Sequence, residues 1–81
     1  MAKLLIVDDE TGIVDEVVEF FKEEGFEVHS ADTAKEGMEL VKKFSPDILL
    51  LDMKLPDMSC IEVLKFCKQS HPKIKVIVNT G

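Results

Sequence analysis

Leu4-Leu5-Ile6-Val7-Asp8-Asp9 and Ile48-Leu49-Leu50-Leu51-Asp52 decide the fold: each is an unbroken apolar run that stops at acids. Four apolar residues are too few for a buried helix. An unbroken run without polar alternation is what a parallel strand buried on both faces requires. Val76-Ile77-Val78 follows the same logic and ends at Asn79-Thr80-Gly81. Three strands that end in polar groups, two of them in carboxylates, place chemistry at one edge of a sheet.

The segments between the runs read as helices. From about Glu10 to Glu24 the apolar residues Ile13, Val14, Val17, Val18, Phe20 and Phe21 recur at helical spacing, with acids between them, and Gly25 is a suitable stop. Phe26–Ser30 alternates as a short, half-exposed edge strand does. Thr33-Ala34-Lys35-Glu36 is a capping box, and its helix runs to about Phe44 with Met38, Val41 and Leu40 inward. Ser59-Cys60-Ile61-Glu62 is a second box, opening a helix to about Gln69 with Ile61, Leu64 and Cys67 on one stripe. Ser45-Pro46 and Ser70-His71-Pro72 break these helices, and Ile74–Val78 is the last strand. The order is β-α-β-α-β-α-β. Alternation with short connections predicts right-handed crossovers and a parallel sheet.

Composition excludes several classes. At 81 residues the chain is one small domain, globular in composition, with no apolar run of membrane-spanning length and no signal-peptide core. A cytoplasmic location is therefore expected. Cys60 and Cys67 stand seven residues apart, about 10 Å along a helix, too far for a disulfide. Reduced thiols packed on the helix face are expected. All sixteen acids lie in residues 1–62 with six of the lysines, whereas residues 63–81 hold four lysines and no acid. The chain has no arginine, and at a net charge of −6 it is a poor ligand for nucleic acid. Its acidic front half suits a cation or a basic partner.

A single Asp after a strand is ordinarily a turn or cap residue. Asp8, Asp9, Asp52 and Thr80 together are more specific. In an open parallel sheet, ligands bind at the carboxyl ends of the strands where strand order reverses. If the first strand lies between the second and third, these four side chains converge. Three neighbouring carboxylates either share a proton or hold a cation. Hard oxygen ligands suit Mg²⁺. An Asp beside such an ion can act as a nucleophile toward phosphorus, and Thr80 could donate to a phosphoryl oxygen.

The runs Leu4–Glu10, Pro46–Pro56 and Val76–Gly81, taken in that order, resemble the receiver domain of bacterial two-component response regulators. The resemblance covers the whole chain. It implies a flavodoxin-like three-layer α/β fold with parallel strand order 2-1-3-4. The function it implies is a phosphoacceptor signalling domain rather than an enzyme, served by a sensor histidine kinase. Asp52 would accept the phosphoryl group. Asp9 would ligate Mg²⁺ directly, Asp8 mainly through water, and Lys54 through its backbone carbonyl. Thr80 would be the switch hydroxyl, and the first helix would form part of the kinase-docking surface.

Receivers continue into a further helix, a fifth strand that ends in a phosphate-contacting lysine, and a final helix. Residues 1–81 are thus expected to be the N-terminal part of such a domain, truncated after the fourth strand. Ser59-Cys60 stands where receivers commonly have Asp-Gly, which removes a glycine's backbone freedom. An exposed fourth-strand edge and a sheet face covered only by the first helix predict a homo-oligomer. The alternative function is an interaction-only, self-associating fragment without phosphoryl transfer. A flavin-binding relative would need a Ser/Thr/Gly-rich phosphate loop where Asp8-Asp9-Glu10 stands. An aspartate phosphatase would need an acid at position 54, which is Lys.

Overall fold

The computed structural model describes residues 2–79. Its elements are β1 (Lys3–Val7), α1 (Thr11–Glu23), β2 (Glu27–Ala31), α2 (Ala34–Phe44), β3 (Ile48–Asp52), α3 (Cys60–Ser70) and β4 (Lys75–Asn79). All pairings are parallel, and the sheet order is β2-β1-β3-β4. The expected α/β alternation and strand order are both present. Among the described residues no helix is long and apolar enough to cross a membrane.

Two core clusters make three layers. Leu5 and Val7 of β1, with Leu49 and Leu51 of β3, face α2 and α3 and pack on Ala34, Val41, Phe44, Val63 and Cys67. Leu4 and Ile6 face the other way, against Val14 of α1 and Val28 of β2. The alternation follows from strand geometry, which turns successive side chains to opposite faces.

The two layers are unequally closed. β1 is buried from Leu4 to Val7, as its run requires. β3 departs from the expectation of full burial: Leu49 and Leu51 are sealed, while Ile48 and Leu50 are only half-buried. On β4, Ile77 stands 47% exposed beside Leu50, and Ile13 of α1 is 57% exposed. The physical reason is that α1 lies over the β1–β2 side, leaving the β3–β4 side of that face uncovered among the described residues.

Two strands begin one residue later than the alternation suggests. Phe26 packs edge-on to Phe21 with ring centroids 5.2 Å apart, and its N–H donates to the Phe21 carbonyl, which holds it in the turn. Gly25, at φ 95°, makes that turn possible. Ile74 N–H donates to the His71 carbonyl, so β4 starts at Lys75. The buried stripe of α3 is Cys60, Val63 and Cys67. Ile61, expected inward, is 56% exposed, because the helix opens at Cys60 and sets the i, i+3, i+7 face there. Leu64 is partly buried against the core, as are Met38 and Leu40.

α2 lies unusually close to the sheet. A Cβ on Gly37 would fall 2.7 Å from Cγ2 of Val7, so only glycine allows this helix to approach β1. That approach matters because Val7 is the residue before the first acid of the site.

Candidate functional site

β1 and β3 are adjacent and in register, with Val7 opposite Leu51. The next residue on each strand is an acid, Asp8 and Asp52. Asp9 follows in the turn that leads to α1. Asp8, Asp9 and Asp52 each offer a carboxylate oxygen within 4.8 Å of the others. Asp8 and Asp52 are half-buried and Asp9 is exposed.

Backbone donors fix two of the three. Asp8 Oδ1 accepts from Glu10 N–H at 3.0 Å, and Asp52 Oδ1 accepts from Lys54 N–H at 3.1 Å. Both are Asx turns, in which a carboxylate bonds the chain two residues on. Each turn redirects the backbone out of its strand and orients the carboxylate. The bond from Glu10 also ties the acid pair to the start of α1. Glu10 caps that helix without a side-chain hydrogen bond.

The turn after β3 is anchored at both ends. Met53 N–H donates to the Asn79 carbonyl at 3.0 Å, and an antiparallel bridge joins Lys54 to Ser59. The Ser59 side chain accepts from Ile61 N–H at 3.2 Å, while Glu62 N–H donates to the Ser59 carbonyl. The expected capping role of Ser59 is thus present, one residue earlier than a capping box places it. Cys60, which stands at the glycine of the Asp-Gly pattern, is the first residue of α3 and does not have a positive φ, so this position does not call for glycine.

The acids crown an apolar groove of about 340 Å³, lined below by Ile13, Val17, Leu50 and Ile77 and above by Asp8, Asp52 and Asn79. Asn79 is opposite Asp52 in the β3–β4 register. The strand alternation does not mark Asn79 as part of the site; its place there follows from register alone. The expected switch residue, Thr80, lies outside the described residues. Cys60 and Cys67 are buried free thiols, and burial pushes the Cys67 thiol up. They are packing residues, as expected.

Three hard-oxygen side chains at the open end of a sheet, two of them pre-oriented by backbone N–H groups, fit a hard divalent cation. Three side-chain ligands are fewer than the six positions of Mg²⁺, which usually keeps several waters.

Comparison with known proteins gives one consistent result. A family model described as response regulator receiver domain matches residues 4–81. The sporulation initiation phosphotransferase F of Bacillus subtilis is 42% identical over 79 residues, covering 98% of this chain and 64% of that protein. The cell cycle response regulator CtrA of Brucella ovis is 35% identical over the same length, covering 98% of this chain and 34% of that protein. Among solved structures, a CheY-like response regulator receiver domain protein from Methanospirillum hungatei superposes with a TM-score of 0.92. It is 37% identical, and the match covers 96% of this chain and 62% of that one. The chain thus spans less than two thirds of the length of these relatives.

Proposed function

Because the chain belongs to the response regulator receiver domain family, we propose that it is a phosphoacceptor module in which Asp52 receives a phosphoryl group from a sensor histidine kinase. The observation that carries this reading is the convergence of Asp8, Asp9 and Asp52 within 4.8 Å at the ends of two adjacent strands. Asp9 and Asp52 would hold Mg²⁺ with the backbone carbonyl of Lys54, and Asp8 would act mainly through water. The ion, when bound, neutralises charge on the phosphoryl oxygens.

The protein's own part is orientation and nucleophilicity. Lys54 N–H occupies Oδ1 of Asp52, which leaves the other oxygen to attack. A bond forms from that oxygen to phosphorus as the P–N bond of the donor phosphohistidine breaks, and the electron pair leaves with the imidazole nitrogen. The nucleophile is already a carboxylate and gives up no proton. Thr80 is the proposed switch hydroxyl. Residues 1–81 would be the N-terminal part of a longer receiver domain in the cytoplasm, serving signalling rather than turnover. Family membership does not favour the interaction-only alternative.

Incubation with a small acyl-phosphate donor tests this reading by mass. Incorporation of one phosphoryl group with Mg²⁺, and none with a chelator, is expected. Equal incorporation under both conditions would overturn the role of the metal, and no incorporation under either would overturn the function.

Self-association is a further part of the proposal. It is supported by Ile77 and Ile13 exposed along the groove and by β4 standing at the sheet edge. Sedimentation is expected to give a mass that rises with concentration, and a monomer at the highest concentrations would refute it.

A further inference from the structure

The loop between β3 and α3 is closed by the Lys54–Ser59 bridge, and Leu55 and Met58 tuck partly into the α2–α3 side of the core. At its tip, Asp57 turns away from its own helix toward α2. One carboxylate oxygen accepts from Ala34 N–H at 2.9 Å and the other from Lys35 N–H at 3.0 Å. Thr33 already caps this helix: its hydroxyl accepts from Glu36 N–H at 3.2 Å, and its carbonyl from Gly37 N–H at 3.0 Å. A helix start leaves four N–H groups without partners, and a cap residue ordinarily satisfies one with its side chain. Here side chains satisfy three of them, at Ala34, Lys35 and Glu36, and two of those three bonds come from a residue of another loop.

α2 has its own cap, so the second one acts chiefly on the loop. Two charge-assisted bonds to a fixed helix end hold the loop tip in one place. The helix dipole adds to them. The donors from Ala34 and then Lys35 hold the Asp57 carboxyl below its ordinary range, against a smaller opposing effect of desolvation. The bonds thus favour the ionised form, which is the form present at neutral pH. From Asp57 the constraint runs to Ser59, across the bridge to Lys54, and through Lys54 N–H to Oδ1 of Asp52. In the same first turn of α2, Gly37 rests on Val7, next to Asp8.

We propose that Asp57 is a positioning residue for the acidic site, clamping the β3–α3 loop to the first turn of α2 so that the Lys54 peptide and the Asp52 carboxylate are set before a divalent cation arrives. The inference rests on the metal-binding reading above. A loop ordered in advance leaves less ordering for the ligand to accomplish, so affinity is higher. Linkage then requires the converse: the bound cation must tighten the clamp on α2.

Calorimetric titration with Mg²⁺ and amide exchange test the inference on the 81-residue chain. Asp57→Ala is expected to weaken Mg²⁺ binding about tenfold, the usual cost of removing a group that orients a ligand. Asp57→Asn, which retains one acceptor oxygen, should fall between. Thr33→Ala loosens the same helix end without touching the loop. It should lower the melting temperature yet leave Mg²⁺ affinity within about twofold, well short of the tenfold expected for a positioning group. In the unsubstituted chain Mg²⁺ should slow exchange of the Ala34 and Lys35 amides.

Asp57→Ala and Asp57→Asn binding Mg²⁺ like the parent, however much they are destabilised, would make Asp57 a structural cap only and overturn the inference. So would Mg²⁺ binding without protection of those two amides. If Asp57→Ala does not fold, Asp57→Asn and the exchange data decide. Asp9→Ala separates the underlying reading. Mg²⁺ binding that is absent from the parent chain, or that survives Asp9→Ala, overturns the metal site itself and the inference with it.

Discussion

Asp52→Asn is expected to abolish phosphoryl incorporation and, without metal, to make the protein more stable. The two effects share one cause. The amide is isosteric and its carbonyl can still accept from Lys54 N–H, so the turn after β3 survives. The amide is not a nucleophile toward phosphorus, so no acyl phosphate forms at that position. The substitution also removes one of three carboxylates gathered within 4.8 Å. Two unit charges about 4 Å apart in water repel by about 1 kcal/mol. Relief of that size raises the melting temperature of a domain this small by about 4–8 °C.

Magnesium should reverse the order of stability. A ligand present at 100 times its dissociation constant adds about 2.7 kcal/mol to the state that binds it. The parent chain gains this and the variant, lacking a ligand carboxylate, gains less. Melting curves followed by circular dichroism, with and without Mg²⁺, should therefore cross. Labelling of the variant would place the phosphoacceptor elsewhere. A variant that melts no higher than the parent without metal would mean that the three acids do not interact as their spacing demands.

The acids were legible because burial made their strands conspicuous. A central strand has few polar positions, so Leu4–Val7, buried throughout, and Ile48–Leu51, buried on one face and half-buried on the other, stand out as apolar runs, and the first polar residue after each marks the carboxyl edge. The edges of the sheet were harder to read. At β2 and β4 one face or one side meets solvent, the apolar pattern weakens, and a local hydrogen bond can shift the start by a residue, as at Phe26 and Ile74. Ile61 shows the same weakness on a helix: its spacing fits the stripe, but the cap at Ser59 sets the helix phase.

The cross-loop clamp had no local signal at all. Asp57 and Ala34 are 23 residues apart, and Asp57 in a Pro-Asp-Met turn looks like an ordinary solvated turn residue. Only the tertiary placement of α2 beside the β3–α3 loop brings them together. Asn79 joins the rim of the groove for the same kind of reason, through the register of β4 against β3. Side chains that act through local chemistry were readable, and those that act through register or packing were not.

That asymmetry between faces also decides where the fold is most vulnerable. Leu49→Ala is expected to remove cooperative folding or bring it close to failure, whereas Leu50→Ala, the next residue, should be tolerated. Leu49 is fully buried in β3, beside Leu5 and Val76, under α2 and α3. Truncating such a leucine typically costs 2–5 kcal/mol, roughly the transfer free energy plus the cavity left behind. A chain of this length has only about 4–12 kcal/mol in total, at roughly 0.05–0.15 kcal/mol per residue. Leu50 points to the other face, where α1 covers only part of the sheet and the groove already admits solvent. There the apolar area removed from water is smaller and the neighbours can close over the loss. Urea unfolding of the two variants compares them directly. A cost at Leu50 equal to or above that at Leu49 would mean that the α1 face is closed in solution, and the natural candidate for closing it would be a second copy of the chain. In that case the cost at Leu50 would depend on protein concentration, while the cost at Leu49 would not.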